Sequence, residues 1–326
     1  MRRRDFIALA GGAAAWMSPA RAQRPAMPVI GYLGSEAPEP YASRLDAFRE
    51  GLAESGYVEG RNVSIAFRWA EGQYRRLPAL AMDLVDRQVT VIVAPGGAEV
   101  ALAAKSATAT IPIVFEMGGD PIALGVVGSL SRPGGNLTGV SSLSVEVSSK
   151  RLEFMTELFP AAEIIAVAVN PTSPTSGSQM RTLQAAASSL RLQLRILNAS
   201  TEQEFDAVFA AVPQMGAKGL VFTSDPYFAY RSQRLAELAS RHGVPAITQA
   251  RDFPMAGGLM SYGGDFRQSH RHTGIYAGRI LKGEKPSNLP VQRVTKVELV
   301  INLKAATALG IPLPVPLLSS ADVVIE

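Results

Sequence analysis

The sequence predicts an α/β protein of two doubly wound parallel-sheet lobes joined by a multi-stranded hinge. From Pro28 onward, short β-branched runs alternate with amphipathic stretches, the pattern of βα units on parallel sheets. The series then restarts near residue 164 with the same construction. Size agrees: 326 residues, 47% of them apolar, exceed what one hydrophobic core holds and are ample to fill two.

The N-terminus reads as an export signal. Arg3-Arg4-Asp5-Phe6-Ile7 precedes a weakly apolar stretch, 6–17, and Ala20-Arg21-Ala22 forms an A-x-A cleavage site, the layout of a twin-arginine signal peptide. The apolar stretch is shorter than the roughly 20 residues that span a bilayer, so residues 1–22 are expected to be removed after Ala22 and the protein to work in the periplasm. Cleavage removes four arginines (Arg2, Arg3, Arg4, Arg21) and one acid (Asp5), and the formal charge of +4 falls to +1. Without those arginines there is no sustained Lys/Arg stripe with interleaved aromatics, which argues against a nucleic-acid partner. The chain has no cysteine, which excludes disulfides, thiol nucleophiles, thiolate metal ligands and lipid attachment to an N-terminal Cys. No later segment offers 18 uninterrupted apolar residues. A freely diffusing monomer with no stable membrane insertion is expected.

In the first series, strands are predicted at 29–34, 62–69, 89–94 and 112–117. Helical spacing falls between them, at Leu45, Phe48, Leu52 and at Leu77, Leu80, Ala81, Leu84, Val85. In the second series, strands are predicted at 164–169, 193–197, 219–223 and 245–248. Segments 109–114 and 241–247 echo one another, each a helix exit followed by a strand opening on proline, where no ladder donor is needed. The tail reads as a strand at 259–263, a helix at 268–281 and one or two strands in 291–301. Such a tail recrosses between lobes. Crossings are expected near 139–143, 257–262 and 286–290, three backbone strands that together make a hinge. The expected division is a signal at 1–22, an N-lobe of 23–141 plus about 262–286, and a C-lobe of 142–261 plus about 287–326.

Several segments resemble one known family. They are Val29-Ile30-Gly31-Tyr32-Leu33, Gly56-Tyr57-Val58-Glu59-Gly60-Arg61-Asn62-Val63, Gly119-Asp120-Pro121, the run from Arg132-Pro133-Gly134-Gly135 to Val140, and Glu298-Leu299-Val300-Ile301-Asn302. Together they resemble substrate-binding proteins of ATP-driven importers with the type I periplasmic-binding fold, in the branch known for tryptophan and other aromatic amino acids. The resemblance implies a receptor that captures a small ligand, such as an amino acid or small carboxylate, between two closing lobes and presents it to a membrane permease.

Ligands of open parallel sheets sit outside the carboxyl ends of the strands, at the topological switch point. From the first lobe this selects Ser35, Glu36, Gly96, Gly97, Ala98 and Asp120; from the second, Asn170, Ser173, Asp225, Tyr227, Gln249 and Tyr262. Gly96-Gly97-Ala98 precedes a helix near Glu99 and either holds a ligand carboxylate on free N–H groups or is an ordinary βα turn. Asp120 and Asp225 each precede a proline and either meet a ligand ammonium or cap the next helix. Tyr227, Phe228 and Tyr262 are candidates to wall an apolar moiety, or core aromatics.

Nothing points to a catalytic site, a metal or a cofactor. His270 and His272 stand at i, i+2 and point apart on a helix, His242 suits a helix C-terminus, and neither G-x-G-x-x-G nor a G-x-S-x-G elbow occurs. The alternatives to an import receptor are a periplasmic ligand sensor subunit and, less favoured, an exported α/β enzyme.

Overall fold

The computed structural model describes residues 27–142 and 144–326. The export signal and its cleavage site, and Leu143 at the edge of the first expected crossing, lie outside the described residues.

The first series runs β1 (Val29–Gly34), α1 (Pro38–Glu54), β2 (Ser64–Trp69), α2 (Leu77–Asp86), β3 (Val91–Ala94), α3 (Ala98–Ala107), β4 (Ile113–Met117) and β5 (Leu137–Ser141). The second runs α4 (Ser148–Leu158), β6 (Ile164–Val169), α5 (Ser176–Leu190), β7 (Gln193–Asn198), α6 (Gln203–Gln214), β8 (Leu220–Phe222), α7 (Pro226–Ala229), α8 (Ser232–His242), β9 (Ala246–Thr248), α9 (Asp252–Met255) and β10 (Met260–Gly264). The tail adds α10 (Phe266–Leu281), β11 (Gln292–Arg293), β12 (Val297–Asn302), α11 (Leu303–Ala308), α12 (Val315–Ser319) and β13 (Val323–Ile325).

Two sheets result. The first has strand order β11-β5-β4-β3-β1-β2 and the second β13-β12-β10-β9-β8-β6-β7. Every pairing is parallel except β10 with β12. β3 (VIVA) and β4 (IVFEM) are buried along their whole length, as befits parallel strands covered by helices on both faces. The edge strand β7 has only exposed and half-buried positions. Apolar layers flank each sheet: Leu84, Ala101 and Phe115 on one side of the first and Phe48, Val93 and Tyr276 on the other; Phe209, Phe222 and Leu235 against Leu152, Val167 and Leu183 in the second.

The chain passes between the sheets after β5, at Asp265 and at 294–296. The last two passages fall later than the sequence suggested. β10 stays paired through Gly264, and β11 still pairs with Val140 and Ser141 of β5, so the backbone leaves a sheet only when its ladder ends. Helix α10 then lies along α1 of the first lobe. Gly51 and Gly274 make this approach possible: a Cβ on Gly51 would stand 1.9 Å from the Arg271 carbonyl oxygen, and one on Gly274 would stand 2.1 Å from that of Phe48. Segment 137–141, which overlaps the crossing expected near 139–143, is a buried strand first. Its Gly139 lets the backbone lie against Phe115, whose carbonyl oxygen would be 2.2 Å from an added Cβ.

Candidate functional site

The switch points fix where a site forms. In the first sheet β1 separates β2 from β3, and in the second β6 separates β7 from β8, so the loops after β1, β3, β6 and β8 diverge and leave crevices. The two crevices face each other. Between them lies a small cavity. Gly96, Gly97, Ala98, Glu99, Glu116 and Arg44 line it from the first lobe, and Ser173, Thr175, Ser224, Tyr230 and Gln249 from the second; Phe266 at the start of α10 closes one side.

Polar contacts join the lobes around this cavity. Arg231 Nη1 donates to Glu36 Oε2 at 2.7 Å, the Tyr74 hydroxyl donates to Asp225 Oδ1 at 2.8 Å, and Ser173 Oγ donates to Glu99 Oε1 at 2.8 Å. Arg44 Nη2 donates to Asp252 Oδ2 at 3.3 Å. The Arg44 guanidinium lies between the Tyr230 and Phe266 rings, 4.4 and 4.7 Å from their centroids, and Tyr230 stacks on Tyr41 across the cleft at 4.4 Å. Cation–π contacts of this kind strengthen when desolvated.

Of the residues selected from the sequence, Gly96, Gly97, Ala98, Ser173 and Gln249 line the cavity. Ser35 sits behind it, donating to the Gly96 carbonyl. Asp225 is also behind the wall: it accepts from the Tyr227 N–H as a helix cap, from Tyr74 and from Asn170 Nδ2, which leaves it and Asn170 committed to one another. Asp120 is exposed and accepts from the N–H groups of Ile122 and Ala123, a turn cap away from the cavity. Tyr227 is buried beneath the Arg231 guanidinium, Phe228 packs in the second lobe's core, and Tyr262 packs edge-on to Phe154. The aromatic wall is therefore Tyr230 and Phe266, not Tyr227, Phe228 and Tyr262.

The Gly96-Gly97 turn also differs from expectation. Both residues have positive φ, +98° and +113°, a conformation that disfavours any side chain. Their N–H groups already serve Glu116, Gly96 to its Oε2 at 3.4 Å and Gly97 to its carbonyl at 3.2 Å. The Glu99 carboxyl folds back to its own N–H. The acids at this helix N-terminus are thus the chain's own, and Glu116 occupies the Gly96 and Gly97 donors.

These acids are perturbed. Burial pushes the Glu99 carboxyl up to about 8, with Asp225 adding to the shift, and Glu36 up to about 7, against the pull of Arg231. Burial likewise raises Glu116, opposed by Arg44, and its Oε1 is buried without a hydrogen-bond partner. The Arg44, Glu99, Glu116, Tyr230 and Phe266 side chains were not selected from sequence. Only Glu116, one acid within the apolar run IVFEM, carried a usable signal.

A pH dependence follows. When the lobes separate, Glu36 and Glu99 become hydrated and return toward the ordinary 4.5. The apposed state then holds more protons than the separated state between about 4.5 and 8, so apposition weakens as pH rises through that window. Small-angle scattering of the unliganded protein should show a smaller radius of gyration at pH 5 than at pH 8, with the difference reduced in Glu99→Gln. An identical radius at both pH values would contradict this account.

Comparisons with known proteins agree with the geometry. Residues 39–325 match the family described as ABC transporter substrate binding protein. The tyrosine-binding protein of Clostridioides difficile (strain R20291) is 27% identical over 264 residues, covering 80% of this chain and 75% of that one. A Streptococcus pneumonia domain solved in complex with L-Trp superposes with a TM-score of 0.82 at 26% identity, covering 91% of this chain and 99% of that one. A ligand-free, open substrate binding protein with adhesive properties from Clostridium difficile gives 0.64 at 25% identity, covering 92% and 99%.

Proposed function

This chain belongs to the ABC transporter substrate binding proteins, and on that premise we propose that it captures an aromatic α-amino acid between its lobes in the periplasm and hands it, as a monomer, to a membrane permease, with no chemistry done on the ligand. One observation supports the ligand class above others. The partnerless buried Glu116 Oε1 belongs to a side chain that lines the cavity together with Glu99, Tyr230 and Phe266. A carboxylate in such a place suits an ammonium group, and the two rings suit an aromatic side chain. The relatives that bind tyrosine and L-Trp favour the same class.

The test is thermal shift of residues 23–326 against L-tryptophan, L-tyrosine, L-phenylalanine, L-leucine, ribose and myo-inositol. A ligand at 100 times its dissociation constant stabilises by about 2.7 kcal/mol. Stabilisation by a sugar and by none of the amino acids would overturn the reading.

Export by the twin-arginine route is part of the proposal. Replacing Arg3 and Arg4 together by lysine is expected to hold the precursor in the cytoplasm. Immunoblots of cell fractions read this directly, and an undiminished periplasmic yield would refute it.

A further inference from the structure

Arg151, on α4, is fully buried, and among the described residues no carboxylate lies within ion-pair distance of it. Its Nη1 donates to the Tyr262 carbonyl at 2.9 Å, and its Nη2 to the Ser144 carbonyl at 3.2 Å and to Ser224 Oγ. Its Nε has no partner. Burial depresses this guanidinium to about 9. A buried charge without a counter-ion is costly and is ordinarily paired.

The position of the group suggests what it serves. Ser224 follows β8 at the switch point and lines the cavity; its hydroxyl accepts from Arg151 and donates to Ser144. A hydroxyl that accepts from a guanidinium is a polarised donor, and a small rotation would aim it into the cavity. The opposite wall holds Glu99 and Glu116. The first-lobe wall thus carries these acids beside Arg44, whose guanidinium is engaged by Asp252 and the Tyr230 and Phe266 rings, whereas the second-lobe wall has a cation behind a hydroxyl with no acid paired to it among the described residues.

We propose that Arg151, acting through Ser224, makes the second-lobe wall the side that receives the carboxylate of the ligand, so that it selects α-amino acids over their uncharged analogues. This rests on the amino-acid reading of the site. Arg151 is then a positioning residue whose field reaches the ligand through one hydroxyl, and it orients the ligand with its ammonium toward Glu116. A purely structural role is the competing account, because the same guanidinium ties Ser144, in the first passage between lobes, to Tyr262 in β10.

Calorimetry on residues 23–326 separates the two, using L-tryptophan, L-tyrosine and L-leucine, each paired with its amide. The protein is expected to prefer acid over amide by about tenfold or more, and Arg151→Met to bring that ratio within about threefold of unity. Ser224→Ala leaves Arg151 bonded to both carbonyls and should lower the ratio by about threefold or more. Circular dichroism checks folding; if Arg151→Met does not fold, Ser224→Ala decides. A ratio unchanged in the folded variants, with acid and amide weakened alike, overturns the proposal in favour of the structural role. Binding of leucine but of neither aromatic acid overturns the aromatic reading alone, since the leucine pair still gives the ratio. Binding of none of the three acids overturns both.

Discussion

Gly274→Ala is expected to destabilise the protein by about 3 kcal/mol, the upper part of the range for overpacking a close-packed interface. In most helices this change is favourable, because alanine is the better helix former by roughly 1 kcal/mol. Here the new methyl would stand 2.1 Å from the Phe48 carbonyl oxygen and 2.7 Å from the Leu52 nitrogen. Both are backbone atoms of α1, and neither can rotate away. The helices must separate, which loosens Tyr41 and Arg44 on α1 and Phe266 on α10. The control is Gly177→Ala in α5, where an added Cβ would meet only Arg181 Nη1 at 3.7 Å; there the ordinary gain of about 0.5–1 kcal/mol should appear. Thermal melts of both variants read the contrast. A Gly274→Ala variant as stable as the parent would show that α10 does not depend on this contact.

Glu116→Gln is expected to weaken ligand binding while leaving the unliganded protein at least as stable as the parent. The parent buries a carboxylate with Oε1 lacking a hydrogen-bond partner and Oε2 held by a 3.4 Å contact from the Gly96 N–H, with the Ser142 hydroxyl nearby. Neutralising it relieves a desolvation cost. The ligand ammonium loses a charge-assisted bond worth about 1.5–3 kcal/mol, on the order of 10- to 100-fold in affinity. A melting temperature that holds or rises together with a falling affinity is the signature of a group kept for binding at the expense of stability. Calorimetry and a melt on the same preparation decide it; unchanged affinity would remove Glu116 from the site.

The sequence made the sheets legible because covered parallel strands are short apolar runs separated by helical spacing. The second-series strands at 164–169 and 193–197 fall within a residue of β6 and β7. What it hid were pairings that depend on distant partners. β11 is two exposed residues, Gln292 and Arg293, given their strand character only by Val140 and Ser141, and β12 pairs antiparallel with β10, so that it and β13 run against the rest of their sheet.

The site divides the same way. Strand-end reasoning reached Gly96, Gly97, Ala98, Ser173 and Gln249, because a parallel sheet fixes where its carboxyl ends lie. It could not reach Arg44, Tyr230 and Phe266, whose place depends on how α1, α7 and α10 dock against the sheets and each other. It offered Asp225 to a ligand because a cap and a binding carboxylate look alike until their partners are visible. Glu99 was concealed by being an unremarkable acid in the first turn of a helix, where the dipole favours one anyway.

The pairing of α1 with α10 also sets an order on the ribosome. Arg271 meets Glu54 across 217 residues of sequence, so the apolar face that Phe48 and Leu52 form with Tyr32 and Val93 lacks its cover of Tyr276 and Ile280 while the whole of the second series is being synthesised. Neither lobe can be finished in turn: the first waits for α10 and β11, and the second waits for β12 and β13. A nascent chain stopped after β5 would expose that apolar face, a condition that favours aggregation and calls for chaperones. Both lobes are therefore completed nearly together, once β11, β12 and β13 have been made, and long-range closures of this kind slow folding.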